Sequence, residues 1–294
     1  MLSEETTGAF NLLSLGQRGV GKTVFLAGSY AELHACHPSQ AKLPLWFDCK
    51  DHQSQESIEK VLGYIVRNGQ YPPGTMKITH FDFSLKRQGL WGPSAVCDFR
   101  LRDMPGEACH NANPAFREIV LTSHGCCVCI DGQALVHSHT YLDDLRDLIV
   151  QVMAIATLVQ LNRLKYAFAL VITKCDLIAD GTTGEQPSLR DRQRIERRLQ
   201  ALIEPLDELG TRYRLFYSAI PLVSRGGDIG LAPSGGAAPL LWLVGELSRA
   251  HNAGAVSQLM RQLRQLLPGR FQRRQQAGKS PLHHLLQTGT PPNP

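Results

Sequence analysis

Four short strings in this sequence carry residue types that can hold a phosphorylated ligand and a hard cation. They are Gly16-Gln17-Arg18-Gly19-Val20-Gly21-Lys22-Thr23, Asp103-Met104-Pro105-Gly106, Thr173-Lys174-Cys175-Asp176 and Ser218-Ala219-Ile220. The first fits the GxxxxGK[ST] spacing at every fixed position. In such a loop Gly16, Gly19 and Gly21 let backbone N–H groups, that of Val20 included, turn inward around phosphates, Lys22 reaches the outer phosphates, and the Thr23 hydroxyl ligates Mg²⁺. Asp103 is placed to hold the same cation through water, with the Gly106 N–H on the terminal phosphate, although Asp-x-x-Gly is also ordinary turn chemistry. The Asp176 carboxylate can accept both N1–H and N2 amino hydrogens of guanine, a donor pair that adenine lacks. Two charge-assisted bonds of about 1.5–3 kcal/mol each favour guanine by on the order of a hundredfold or more. Thr173 heads that string, the stem of Lys174 can lie along the nucleotide, and Ser218-Ala219 can present the Ala219 N–H to guanine O6.

The elements around these strings place all four at one end of a sheet. Phe10 to Leu15 reads as a strand entering the glycine loop, and the apolar spacing after Lys22 reads as a helix. From Thr79 to Leu85, and again from Cys97 to Leu101, apolar and polar residues alternate, with turn chemistry at Gly89 to Pro93, so the two runs form a hairpin at a sheet margin. Cys126 to Ile130, Ala167 to Thr173 and Leu215 to Ile220 read as strands. They alternate with helices at Leu142 to Leu164, Leu189 to Leu206 and Pro239 to Leu247. That order predicts an α/β fold with a mostly parallel sheet and helices on both faces, whose ligands sit beyond the carboxyl ends of the strands.

With these motifs in this order, the chain resembles P-loop GTPases of the translation-factor and small-GTPase class. The strings LGQRGVGKTVFLAGSY, PPGT and DMPGE look more specifically like the bacterial double-GTPase family. The resemblance covers about residues 8 to 250 and implies GTP and GDP as ligands, Mg²⁺ as cofactor, hydrolysis as the reaction, and a protein effector or partner GTPase. It makes Thr75 the switch threonine that closes over Mg²⁺ and the γ-phosphate; the bland reading of Thr75 is a turn residue. Three features depart from the common pattern. The 81-residue interval from Lys22 to Asp103 leaves room for an inserted helix within residues 36 to 72. Glu107 stands where many relatives carry a water-orienting Gln, so its carboxylate is either repelled by the γ-phosphate or used as a base. Arg18 replaces a small residue of the loop, and its guanidinium either faces solvent, obstructs a partner's arginine finger or acts as one in cis.

Composition limits the remaining classes. With 294 residues and 43% hydrophobic content the chain can bury a full core. The longest apolar run, Leu148 to Leu161, is shorter than the roughly 20 residues of a spanning helix. The opening residues contain Glu4 and Glu5 and no secretory pattern, which points to the cytoplasm. The eight cysteines lack paired CxxC spacing and read as reduced thiols. The formal charge of +5 resides in the tail: residues 251 to 294 hold six Lys or Arg and no acid, leaving 25 basic against 26 acidic residues before them. Within that tail, 251 to 279 reads as a basic amphipathic helical extension, through Val256, Leu259, Met260, Leu263, Leu266 and Leu267, and 280 to 294 as disordered. Such a helix packs on its own domain or binds an acidic partner or the inner membrane face. A neutral body without interleaved aromatics gives no support for nucleic-acid binding. Two other readings stay open, a pseudo-GTPase that holds nucleotide as a scaffold and a P-loop ATPase or small-molecule kinase.

Overall fold

A computed structural model describes residues 9–34, 45–73, 80–89, 92–103, 113–178, 186–225 and 228–250. Its centre is a seven-stranded sheet in the order β2-β3-β4-β1-β5-β6-β7. The strands are β1 (Ala9–Leu15), β2 (Leu45–Cys49), β3 (His80–Gly89), β4 (Gly92–Asp103), β5 (Gly125–Asp131), β6 (Ala167–Thr173) and β7 (Tyr213–Tyr217). From β4 through β1, β5 and β6 to β7 every pairing is parallel, whereas β3 runs antiparallel to both β4 and β2. Every residue of β5 and β6 is buried, as expected of strands covered on both faces. A separate two-stranded hairpin, β8 (Leu222–Arg225) with β9 (Asp228–Leu231), follows β7.

Alternate side chains divide the core into two layers. Leu12, Cys127, Cys129, Ala169 and Val171 face a layer that contains Phe25, Leu26, Ile58, Ile65, Leu240 and Val244. Those partners come from α1 (Lys22–His34), α2 (His52–Asn68) and α8 (Ala237–Ala250). Leu13, Leu15, Val128, Ile130, Leu170 and Ile172 face the other layer, with Phe116, Leu148, Val152, Ile195 and Leu202. Here the helices are α3 (Pro114–Leu121), α4 (Gly132–His137), α5 (Tyr141–Leu161), α6 (Leu189–Arg198) and α7 (Gln200–Glu208). The mostly parallel sheet with helices on both faces is therefore present.

Two differences from the sequence reading have clear causes. The insertion contributes a strand as well as the expected helix. Phe47 of β2 is fully buried against Phe83 and Phe99, with ring centroids 5.4 and 5.5 Å away, so β2 extends the sheet and β3 is not its margin. Five residues with partners 34 to 42 positions further on give a weak periodic signal. The stretch from Leu189 to Leu206 is two helices, because Leu199 caps α6 and begins α7. The residues from 251 onward, including both expected tail segments, lie outside the described residues. Among the described residues no helix is long and apolar enough to cross a membrane.

The two ends of the first layer are tied by one carboxylate. Glu32 of α1 accepts from the backbone N–H of Gly235 (3.1 Å) and of Ala237 (2.8 Å), meeting two orphan donors at the start of α8. Replacement Glu32→Ala removes both acceptors. We expect a loss of about 1–3 kcal/mol of stability, read as a lower urea midpoint with an unchanged m-value.

Candidate functional site

The glycine loop joins β1 to α1. Its first residue, Gly16, has φ of 146°, and a Cβ there would lie 2.7 Å from the Cys129 carbonyl oxygen of β5. No side chain fits that approach. Gly19 and Gly21 also have positive φ, at 83° and 90°, while Val20 between them is buried and pins the loop to the core. Lys22 opens α1 and folds back across the loop: its ammonium donates to Gly16 O and lies 3.3 Å from Gln17 O and 3.7 Å from an Asp103 oxygen. The Gln17 amide donates to the Asp144 carbonyl in α5, and Arg18 is exposed at the outer turn. Burial pushes the thiol of Cys129, beneath this loop, up to about 12 despite the nearby Lys22 charge, so it stays a neutral packing group.

Asp103 ends β4 beside Ser14 of β1, which sets a carboxylate next to the loop. Thr23 lies in the first turn of α1. A hydroxyl and a carboxylate are hard oxygen donors of the kind Mg²⁺ prefers, the rest of its shell coming from phosphate and water. Among the described residues no group of three or more His, Cys, Asp or Glu side chains is arranged to hold a metal by itself. Thr23 and Asp103 supply two oxygen donors of that kind at the glycine loop.

The second half of the site grows from β6. Thr173 is 3% exposed at the strand's end, and its hydroxyl lies 2.6 Å from Val20 O in the glycine loop and 3.0 Å from Ile130 O in β5. It has one proton to give, and the shorter contact is the one to the loop. Lys174 takes left-handed dihedrals (φ 54°), which sends its stem past Gly21 and its ammonium to Asp131 Oδ2, 2.5 Å away. Asp131 uses its other oxygen to cap α4 through Ala134 N. Cys175 is buried, donates to Ile172 O, and its thiol is pushed up to about 12 by burial, so its role is packing. The Asp176 carboxylate accepts from Ile220 N at 3.1 Å and lies 3.3 Å from the Tyr71 hydroxyl.

The loop after β7 is held by backbone bonds: Ser218 N donates to Ile172 O and Ser218 O accepts from Cys175 N. The Ser218 Oγ is buried with no hydrogen-bond partner among the described residues. The structure differs from expectation at Ala219. Its N–H donates to Ser234 O (3.0 Å) and its carbonyl accepts from Ser234 N (2.8 Å), because the chain returning from the β8–β9 hairpin pairs with it. The donor expected to face guanine O6 is thus spent inside the protein.

The structure brings together Gly16, Arg18, Gly19, Val20, Gly21, Lys22, Thr23, Asp103, Thr173, Lys174, Asp176, Ser218 and Ala219 at the carboxyl ends of the strands. Thr75, Gly106 and Glu107 lie outside the described residues. Sequence reasoning missed Asp131, whose signal was an Asp-Gly pair ending the apolar run Cys126 to Ile130. It also missed Tyr71, for which no motif spacing exists. Replacing Thr173 with Val keeps the shape and removes the donor to Val20 O. We expect GDP affinity to fall about tenfold and stability by about 1–3 kcal/mol, checked by nucleotide titration and thermal melting.

A family model described as Double-GTPase 2 matches residues 14–219, which spans the glycine loop, Asp103, Thr173 to Asp176 and Ser218-Ala219 and includes the insertion. No curated protein matches the chain. Among solved structures, one that is similar is the crystal structure of an ADP-ribosylation-factor-like GTP-binding protein, the small COPII coat GTPase SAR1 of Encephalitozoon cuniculi, in complex with GDP. The identity is 15%, 88% of this chain and 82% of that chain are covered, and the TM-score is 0.35. With its family model matched over most of its length, this chain belongs to the Double-GTPase 2 family.

Proposed function

We propose that this chain is a Mg²⁺-dependent guanine-nucleotide switch that hydrolyses GTP slowly by itself and works with a partner protein, an effector or a second GTPase. The observation that carries this reading is the direct bond from Thr173 to the Val20 carbonyl. It fastens the end of the strand that leads into Asp176 to the loop that would receive phosphate, so one ligand with a guanine edge and a phosphate chain would meet both. Lys22 neutralises the outer phosphates once they displace its contacts with Gly16 O and Gln17 O. Loop N–H groups and the α1 N-terminus hold the inner phosphates. Thr23 and Asp103, with Thr75 from the switch, would hold Mg²⁺, which when bound draws off charge as the phosphoryl bond breaks. The Gly106 N–H would meet the γ-phosphate, and Glu107 would orient or deprotonate the attacking water.

The slow intrinsic rate is inferred from two sequence departures. A carboxylate at Glu107 in place of a water-orienting Gln would be either repelled by phosphate or used as a base, and Arg18 is exposed at the outer turn, where a partner's contact can redirect it. The balanced charge of the body and the basic residues after position 250 favour protein or anionic-surface contacts over nucleic acid, with the cytoplasm or its membrane face as the setting.

Titration with fluorescent GDP, a non-hydrolysable GTP analogue and ATP tests the reading. Wild type should bind guanine nucleotides selectively, and Asp176→Ala should lose that preference by on the order of a hundredfold. Equal guanine and adenine binding, insensitive to Asp176, would move the chain to ATPase or kinase chemistry. For the reaction itself, single-turnover phosphate release should fall in Glu107→Ala with nucleotide affinity retained. Absent release in wild type, with or without candidate partners, identifies a binding-only scaffold.

A further inference from the structure

The base-reading carboxylate is held from a direction that no nucleotide motif accounts for. Tyr71 belongs to the insertion, three residues past the end of α2, and its hydroxyl lies 2.9 Å from Ile220 O and 3.3 Å from Asp176 Oδ2. Ile220 in turn donates its N–H to Asp176 Oδ1 at 3.1 Å. Tyr71, Ile220 and Asp176 thus close a small ring in which both carboxylate oxygens and both backbone groups of Ile220 are engaged. The phenol has one proton, shared between a neutral carbonyl and a charged oxygen. Burial, with the Asp176 charge second, raises its pKa above the ordinary value, so it remains a donor.

The geometry points to Tyr71 as a positioning residue for guanine specificity, its hydroxyl fixing the Asp176 carboxylate and the Ile220 loop in the orientation that accepts the two donors of the guanine edge. This rests on the reading of Asp176 given under Proposed function. Each carboxylate oxygen has about two lone-pair directions, and the ring uses one on each, which leaves one on each for N1–H and the N2 amino group. A carboxylate free to rotate about its last torsion pays entropy to present both oxygens together; one held at two points has already lost that freedom.

Tyr71 is itself held. The α2 helix ends at Gly69 in the left-handed region (φ 60°), with its N–H on Ile65 O at 2.8 Å. A Cβ at Gly69 would lie 2.7 Å from Ile229 Cδ1, so the helix end abuts the β8–β9 hairpin, and Pro72 and Pro73 restrict the chain beyond. The insertion therefore delivers the phenol to the base site from a fixed anchor. On the other side Ile220 packs so closely on α1 that a Cβ at Gly28 would overlap its side chain. The ring is braced from both flanks.

The test compares GDP, IDP and ADP binding, with Mg²⁺ present, in wild type and in Tyr71→Phe, with a melting curve for each protein. IDP keeps N1–H and lacks the 2-amino group, so the GDP-to-IDP ratio reads two-point recognition by the carboxylate. Tyr71→Phe removes one oxygen and keeps the ring packing. We expect the GDP-to-IDP ratio to narrow about three- to tenfold, chiefly through weaker GDP binding, with IDP affinity and melting little changed. An unchanged ratio overturns the proposal, as does a uniform loss for both nucleotides accompanied by lower melting. Tighter binding of both nucleotides also overturns it, since the phenol would then be a competitor for Asp176. If wild type fails to separate GDP from IDP and ADP, the guanine reading and this proposal fall together; if it separates them and only the variant keeps the ratio, this proposal alone falls.

Discussion

A single buried hydroxyl joins the two halves of the site. The Thr173 proton faces Val20 O at 2.6 Å across 153 residues of sequence, in a region where the residue is almost completely removed from water. At that depth a polar group left unmatched costs the full desolvation penalty, so the loop and the strand are held in one relative position. The same junction is reinforced by the Lys174 ammonium on Asp131 and by the Lys174 stem against Gly21. Cys175 N on Ser218 O then carries the connection to the next strand. The glycine loop, the turn of Thr173 to Asp176 and the loop after β7 are joined in this way because the parallel strands β1, β5, β6 and β7 all finish at the same edge of the sheet.

Steric limits act beside these bonds. The backbone of Gly16 passes within side-chain distance of the Cys129 carbonyl, and Gly28 allows Ile220 to lie directly on α1. Neither approach tolerates a Cβ without moving a strand end or the loop of Ile220. The small thiol of Cys129 suits the space beneath the phosphate loop, and its burial keeps it neutral beside Lys22 and Asp103. Packing density thus decides the loop geometry as much as hydrogen bonding does.

The insertion is built into the sheet. Phe47 joins Phe83 and Phe99 in one aromatic cluster, with Phe83 and Phe99 themselves 4.9 Å apart, so β2 is fixed by apolar burial and ring contacts together. From that strand the chain returns along α2, whose N-terminus is capped by Asp51 on Ser54 N, to the turn of Asp176. Glu32 of α1 binds the start of α8. The insertion, packed at Gly69 on the β8–β9 hairpin, therefore reaches the turn at which Asp176 stands through Tyr71.

Local pattern in the sequence was sufficient for the strand–loop–helix of residues 10 to 33, the hairpin of β3 and β4, and the apolar runs of β5 and β6. In each, glycine spacing or hydrophobic periodicity is written over neighbouring residues. It also singled out Lys22, Thr23, Asp103, Thr173, Lys174 and Asp176 as candidates, since side-chain chemistry at fixed spacing is legible without coordinates. Only the tertiary structure decided which groups those residues meet. The alternation of β3 read as a margin because the strand that covers it, β2, pairs across more than thirty residues. Ala219 read as a donor for a ligand, yet its N–H closes a bridge to Ser234, a partner brought back by a hairpin that the sequence did not announce. Asp131 and Tyr71 enter the site through contacts 43 and 105 residues long, and the order of neighbouring residues, which marks Asp131 only as the end of an apolar run, does not name those partners.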